Sequence, residues 1–135
     1  MNAVLVDTNV IIDAFLGDRA AAAAMASYDR VIVCTTVLGE YKAGIQPNTK
    51  SGANFQSRME DFLDDPAVQV IGGTETTSDY YARIYRELKA KGKPIPQNDM
   101  WIAAFALEHA ATLLSRDTHF SEIPMLKWTD LVPTP

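Results

Sequence analysis

The sequence predicts an α/β fold with a mostly parallel central sheet and helices on both of its faces. Short apolar runs typical of buried strands alternate along the chain with longer segments that have helical spacing. Glycines, prolines and polar clusters separate the two kinds of segment. This alternation is typical of parallel sheets covered by helices. The 135 residues match one ordinary domain, and since no repeat or low-complexity linker divides them, we expect a single domain over residues 1–135.

The N-terminal half is predicted to hold two buried strands, each followed by helices. Its elements are, in order, a strand over 4–6, helices over 9–15 and 18–28, a strand over 31–34, and helices over 37–44 and 53–63. Gly17 separates the first two helices. Thr35 or Thr36 can cap the third helix, and Gly44 lies near its end. The polar stretch "IQPNTKSG" is predicted to be a loop.

The C-terminal half continues the same alternation. Its elements are, in order, a strand over 68–71, helices over 78–90 and 98–110, a strand over 111–115 and a last strand over 125–128. The stretch "KGKPIPQN" is predicted to be a loop because its two prolines prevent a helix. Parallel strands end at one edge of the sheet, so we expect the functional crevice beyond their carboxyl ends.

Composition limits the classes of function. The formal net charge of −5 weighs against a protein that grips nucleic acid through overall positive charge, although it does not exclude a local basic patch. The single cysteine, Cys34, lies in the apolar run "VIVC" and is predicted to be a small buried side chain. One cysteine forms no internal disulfide, which suits a reducing cytoplasm. Since the chain has neither a signal-peptide pattern nor an apolar run long enough for a membrane span, we expect no membrane association.

Four acidic residues are predicted to converge at the carboxyl edge of the sheet. Asp7 follows the first strand, Asp117 follows the strand "ATLLS", Glu40 lies on the helix after the second strand, and Asp99 begins the helix "NDMWIAAFALEHA". Asp99 shares a helix face with apolar residues three, four and seven positions later. Asp7 and Asp99 alone could each be a helix cap, and Asp117 could form part of a turn, but Glu40 has no such structural explanation. An acid beside an apolar face, however, costs free energy unless it is paired or binds a cation.

The clustered carboxylates predict a site for a divalent cation. Carboxylates held close together repel one another and stay ionised most easily around such an ion. Ligands that are all oxygen suit Mg²⁺ or Mn²⁺. Zinc is disfavoured because Cys34 is expected in a strand and because His109 and His119 lack metal-site spacing. A hard cation on carboxylates can neutralise phosphate, activate water and stabilise a leaving oxygen, as phosphodiester hydrolysis requires.

Four stretches of the chain resemble PIN-domain ribonucleases, in particular the VapC-type toxins of bacterial and archaeal toxin–antitoxin pairs. They are "VLVDTNVIID", "GEYKAGI", "NDMWIAAFALEHAATLLSRD" and "HFSEIPMLKW", and they occur in the family's order over essentially the whole chain. The third is the most specific because it joins an acid, a helix, a strand and a second acid. The resemblance implies a PIN-like three-layer α/β/α sandwich, Mg²⁺- or Mn²⁺-dependent cleavage of RNA, homodimers and inhibition by a cognate antitoxin protein.

The resemblance also assigns residues to the site. The family's catalytic and metal-binding acids correspond to Asp7, Glu40, Asp99 and Asp117. Its supporting polar residues correspond to Thr8, Asn9 and Ser115. Such toxins often carry a further acid two residues after the fourth one, where this chain has His119, so the outer part of the site is expected to differ.

Each acid is expected to have a distinct role. Asp7, Asp99 and Asp117 would bind the metal directly, and Glu40 would bind it through water or orient the attacking water. In-line attack of metal-activated water on phosphorus would leave a 5′-phosphate and a 3′-hydroxyl. No histidine is needed as a base in this scheme.

The remaining candidates are basic or aromatic. Arg116 and Lys42 are the residues considered for RNA binding, although Arg116 could equally neutralise the acids. His119 is expected to be a surface or loop residue. Trp101 is expected to pack, or to line a dimer surface, rather than to stack on a base.

Two other functions compete with this interpretation. A haloacid-dehalogenase-like phosphatase also begins with a strand and an aspartate, but it needs a second aspartate two residues later, where this chain has Asn9. A non-catalytic PIN domain would only bind RNA or a partner, but loss of catalysis usually removes an acid first. Activity on small phosphomonoesters, with none on RNA, would favour the phosphatase.

Overall fold

The computed structural model describes residues 2–131 and contains a five-stranded parallel sheet. The strands are β1 (Ala3–Val6), β2 (Arg30–Cys34), β3 (Val68–Ile71), β4 (Thr112–Leu114) and β5 (Trp128–Thr129). Their order across the sheet is β3-β2-β1-β4-β5. The predicted parallel α/β architecture is therefore confirmed.

Helices connect the strands and cover the sheet. They are α1 (Thr8–Phe15), α2 (Arg19–Ala26), α3 (Thr35–Ala43), α4 (Lys50–Asp64), α5 (Glu75–Lys91) and α6 (Gln97–Glu108), followed by a 3₁₀ turn over Thr118–Glu122. Crossovers between parallel strands are right-handed, so α1 to α4, which lead from β1 towards β3, lie on one face of the sheet. The chain then reverses direction across the sheet, which puts α5 and α6 on the other face.

The start of α3 and the start of α4 differ from the prediction. A threonine cap for α3 is wrong, because Cys34 occupies the cap position and makes no side-chain capping bond. α4 begins at Lys50 rather than at residue 53 because the Thr49 hydroxyl accepts the Gly52 N–H at 2.9 Å. This cap makes the end of the predicted loop helical. Gly44 lies directly after α3, as predicted.

Two elements of the C-terminal half also have different bounds. α5 begins at Glu75 rather than at residue 78. It ends at Lys91, and the following Gly92 has a φ of 65°, the left-handed conformation common after helices. The last strand begins at Trp128 rather than at residue 125. Met125 has a φ of 69°, which an extended strand does not accommodate.

The core lies on both faces of the central strands. Val4, Leu5, Val6 and Leu113 are fully buried, in agreement with the position of β1 at the centre of the sheet and of β4 beside it. Cys34 is also fully buried, as predicted, and burial raises the pKa of its thiol to about 11. Within residues 2–131, none of the helices has the length and apolar character that a membrane span requires.

Candidate active site

The fold brings the four predicted acids to one edge of the sheet. Asp7 and Asp117 follow the carboxyl ends of β1 and β4, which pair side by side. From β1 the chain continues to β2 on one side, whereas β4 pairs with β1 on the other side. The strand order therefore reverses at the carboxyl ends of β1 and β4, where a crevice forms. Glu40 comes from α3, which follows the adjacent strand β2, and Asp99 lies in the first turn of α6.

Ser115 connects the first and last acids of this group. It is fully buried, and its hydroxyl donates to Asp7 Oδ2 at 2.6 Å and accepts the Asp117 N–H at 3.0 Å. Asn9 Nδ2 lies 3.4 Å from the same hydroxyl and 3.5 Å from Asp7 Oδ2. Asp7 Oδ1 accepts the Thr8 N–H at 2.8 Å and so also caps α1. The predicted supporting residues therefore lie among the acids.

Glu40 is held by a hydrogen bond to each of its carboxylate oxygens. The Thr8 hydroxyl donates to Oε1 at 2.8 Å, and the Asn98 side-chain amide donates to Oε2. Sequence reasoning missed Asn98 as a residue of the site. Its position beside Asp99, at the start of a helix that reaches the crevice, is the one signal that could have indicated a role in the site.

The tightest group of possible metal ligands combines two acids with a histidine. One ligand atom each from Asp99, Asp117 and His119 lies within 4.8 Å of the others. His119 Nδ1 is 3.0 Å from Asp117 Oδ1 and 3.6 Å from Asp99 Oδ2. The expectation of a surface position for His119 is correct, since its side chain is 53% exposed, but sequence reasoning missed its contact with the acids.

Burial and mutual repulsion raise the pKa of the two buried acids. For Asp7 burial is the largest cause, hydrogen bonding by Ser115 opposes it, and the charges of Glu40 and Asp117 add to it. The pKa of Asp99 rises to about 6, first through burial and then through the charges of Asp117 and Asp7. A divalent cation would relieve both effects by stabilising the ionised carboxylates. The donor set therefore fits such an ion.

Arg116 pairs with acids outside this group. Its Nε lies 2.7 Å from Asp13 Oδ2, and its Nη2 lies 2.7 Å from Asp18 Oδ2. Its backbone N–H donates to the side-chain oxygen of Asn9, a residue of the site, at 3.3 Å. The guanidinium thus ties α1 to the start of α2, and its proposed contact with RNA remains a prediction.

Lys42 and Trp101 occupy different surroundings. Lys42 is exposed in the last turn of α3, two residues after Glu40, and lines a surface pocket together with residues of α4. Trp101 stacks on Tyr81 with ring centres 4.0 Å apart, which joins α6 to α5. The expected packing role of Trp101 is therefore confirmed within one chain.

Comparison with known proteins identifies a family. The family model described as "PIN domain" matches residues 4–126. Ribonuclease VapC2 from Rickettsia felis is 30% identical over 103 residues, which cover 76% of this chain and 75% of that protein.

One chain in each of two solved assemblies has the same fold as this protein over nearly its whole length. VapBC2 from Rickettsia felis, bound to a DNA fragment from its promoter, superposes with a TM-score of 0.80 and 25% identity, covering 95% of this chain and 98% of that chain. VapBC-1 from nontypeable Haemophilus influenzae gives a TM-score of 0.81 and 25% identity, covering 96% and 98% respectively.

Proposed function

The chain belongs to the PIN-domain family, and we propose that it is a metal-dependent endoribonuclease that acts as the toxin of a toxin–antitoxin pair. The observation that carries this proposal is the convergence of Asp7, Glu40, Asp99 and Asp117 at the carboxyl edge of a parallel sheet. The VapC ribonuclease among its relatives and the VapBC assemblies among its structural neighbours support the same function.

Three of the acids are the proposed metal ligands. Asp7, Asp99 and Asp117 would hold Mg²⁺ or Mn²⁺, the ions that carboxylate oxygens suit best. When bound, such an ion neutralises the scissile phosphate, activates water and stabilises the leaving oxygen. Ser115 fixes the spacing of two of these acids, since its single hydroxyl bonds to Asp7 Oδ2 and to the Asp117 N–H.

Glu40 orients the attacking water. Its two oxygens are held by Thr8 and Asn98, and a carboxylate oxygen that accepts one hydrogen bond still has a second lone pair. The side chain is therefore fixed in place yet able to accept a proton from water. In-line attack of water on phosphorus breaks the bond to the ribose 3′ oxygen and leaves a 5′-phosphate and a 3′-hydroxyl, and the ribose 2′-hydroxyl takes no part.

Two basic residues are proposed to contact the RNA. Lys42 is exposed and lies two residues from Glu40, so its ammonium can reach a phosphate near the site. Arg116 adjoins Asp117 but is held by Asp13 and Asp18, so it would need to exchange one of these partners for phosphate. The loss of RNA affinity is therefore expected to be larger for Lys42→Ala than for Arg116→Ala in a filter-binding assay.

Induced expression in a bacterial host without an antitoxin tests the function. We expect growth arrest and discrete new RNA 5′ ends, both lost in Asp7→Asn and Asp99→Asn. Glu75→Gln is the matched control. Glu75 and Asp99 each lie in the first turn of a helix, α5 and α6 respectively, but Glu75 is exposed whereas Asp99 is buried. Arrest that persists in both aspartate variants would refute the catalytic assignment.

The chemistry can then be tested on an RNA oligonucleotide that spans a mapped 5′ end. Cleavage is expected with Mg²⁺ or Mn²⁺ and not with EDTA, and it should survive a 2′-deoxy substitution at the scissile nucleotide. Products that end in a 2′,3′-cyclic phosphate would contradict attack by water. Hydrolysis of small phosphomonoesters without cleavage of RNA would favour a phosphatase instead.

The partners and the compartment are part of the same proposal. We expect a cognate antitoxin protein to abolish cleavage when it is co-purified with the chain, and the chain alone to sediment as a homodimer. A cytoplasmic location follows from an RNA substrate and agrees with the single buried cysteine.

A further inference from the structure

His119 is a basic side chain that contacts two of the four acids, Asp99 and Asp117. It lies in the 3₁₀ turn that Asp117 caps, because Asp117 Oδ1 accepts the His119 N–H at 3.0 Å. This short turn directs the imidazole back over the acids, with Nδ1 at 3.0 Å from Asp117 Oδ1 and 3.6 Å from Asp99 Oδ2. The ring nitrogen therefore faces the same space as the carboxylate oxygens.

The two contacts of His119 are short enough for neighbouring ligands on one ion. Two ligands at a right angle on an ion with bonds of about 2.1 Å lie about 3.0 Å apart. The contact between Nδ1 and Asp117 has that length, and the contact with Asp99, at 3.6 Å, corresponds to a wider angle between two ligands. Because the side chain of His119 is 53% exposed, its ring has room to change orientation. The hydrogen bond from the His119 backbone N–H to Asp117 Oδ1 fixes the position of its backbone.

A nitrogen ligand changes which ion the site prefers. Imidazole is a ligand of transition metals, whereas Mg²⁺ takes oxygen ligands almost exclusively; Mn²⁺ accepts both. We propose that His119 Nδ1 joins Asp99 and Asp117 as a metal ligand and makes this site select Mn²⁺ over Mg²⁺. This inference rests on the proposed metal-dependent function and goes beyond it by naming the ligand that sets the selectivity.

Pulsed electron paramagnetic resonance of the purified, Mn²⁺-loaded protein tests the proposal directly. A coordinated imidazole gives ¹⁴N modulation of the Mn²⁺ signal, which carboxylates and water do not give. The chain has two histidines, so His109→Gln is the matched control: His109 follows α6 at the end opposite to Asp99, and its side chain contacts Glu108. We expect the modulation in the wild type and in His109→Gln, and its loss in His119→Asn and His119→Asp.

Competition between the two ions gives a second measurement. Titration of bound Mn²⁺ with Mg²⁺ should show that His119→Asp lowers the preference for Mn²⁺ by at least about tenfold, since even outer partners of metal ligands change affinity by this order. His109→Gln should leave the preference unchanged. Circular dichroism confirms that the variants are folded.

The outcomes separate this inference from the proposed function. Bound Mn²⁺ without ¹⁴N modulation in the wild type, or an unchanged ion preference in His119→Asp, overturns the ligand role of His119. RNA cleavage with Mg²⁺ in a protein that does not bind Mn²⁺ overturns it as well, yet leaves the nuclease intact. Nitrogen-coordinated Mn²⁺ in a protein that cleaves no RNA supports the ligand role and refutes the nuclease.

Discussion

Asp99→Asn is expected to stabilise the metal-free protein, although it removes a proposed catalytic residue. The Asp99 side chain is 9% exposed and lies close enough to Asp117 and Asp7 for their charges to raise its pKa. Asparagine keeps the shape of the side chain and removes its charge. The folded state therefore loses an ionised group that burial and repulsion disfavour.

The magnitude follows from the pKa. A rise from 3.8 to about 6 corresponds to about 3 kcal/mol against the ionised form in the folded state. Asp99 also lies in the first turn of α6, where the helix dipole favours a negative charge by about 0.3–1 kcal/mol. The net gain expected for Asp99→Asn at neutral pH is therefore about 2 kcal/mol. For a domain of this length that corresponds to a rise in Tm of roughly 6–10 °C.

The pH dependence has a definite sign. Because the pKa of Asp99 is higher in the folded state than in the unfolded chain, the folded state retains the proton over the window from pH 3.8 to about 6. The contribution of Asp99 to stability is thus most favourable below this window and is lost as the pH rises through it. The difference in Tm between Asp99→Asn and the wild type should grow from pH 4.5 to pH 7 and then level off.

Thermal unfolding in EDTA, and again with excess Mn²⁺, measures both effects. In Mn²⁺ at about 100 times its Kd the wild type gains about 2.7 kcal/mol, whereas Asp99→Asn, which lacks a ligand, gains much less. The two Tm values should therefore approach each other in Mn²⁺, or the wild type should become the more stable protein. The control Glu75→Gln removes an exposed first-turn acid and should lower Tm slightly in both buffers. A lower Tm for Asp99→Asn in EDTA would refute the reasoning.

Two further predictions concern stability alone. Thr77→Val removes a buried hydroxyl that donates to Glu108 Oε1 at 2.5 Å and should lower the free energy of unfolding by about 1–3 kcal/mol in urea, whereas Thr77→Ser should lose less. Gly52→Ala would place a Cβ 2.0 Å from the Gln46 carbonyl oxygen and should cost about 1–3 kcal/mol. Gly39→Ala, exposed in α3 with open space around it, should instead stabilise by about 0.5–1 kcal/mol, and equal losses at the two glycines would contradict this account.

The acids could be located from the sequence because strand ends and helix faces follow simple periodicities. Asp7 comes directly after a run of buried residues, and a parallel sheet places every such end at one edge. Asp99 precedes Ile102, Ala103 and Ala106, all fully buried, so the helical period alone places it beside the core. Each of these inferences needs only the sequence of one helix or strand and the parallel direction of the strands.

Contacts between elements distant in sequence could not be predicted in the same way. Asn98 bonds to Glu40 across 58 positions, and the pairing depends on the angle at which α3 meets α6. Arg116 pairs with Asp13 and Asp18 because Gly17, with a φ of 98°, turns the chain between α1 and α2. Side-chain partners of this kind depend on packing that no local pattern in the sequence contains.

The packing of the strands that precede the acids explains how one edge of the sheet holds several acidic side chains close together. β1 is the central strand and β4 lies beside it, and buried residues lie directly before Asp7 and before Ser115. Their packing fixes the ends of both strands regardless of whether the acids are ionised, so repulsion among the acids acts on a rigid frame. Repulsion that cannot be relieved by movement is instead relieved by protonation or by a cation. The stability of the centre of the sheet is therefore what holds the acids together in a state suited to binding metal.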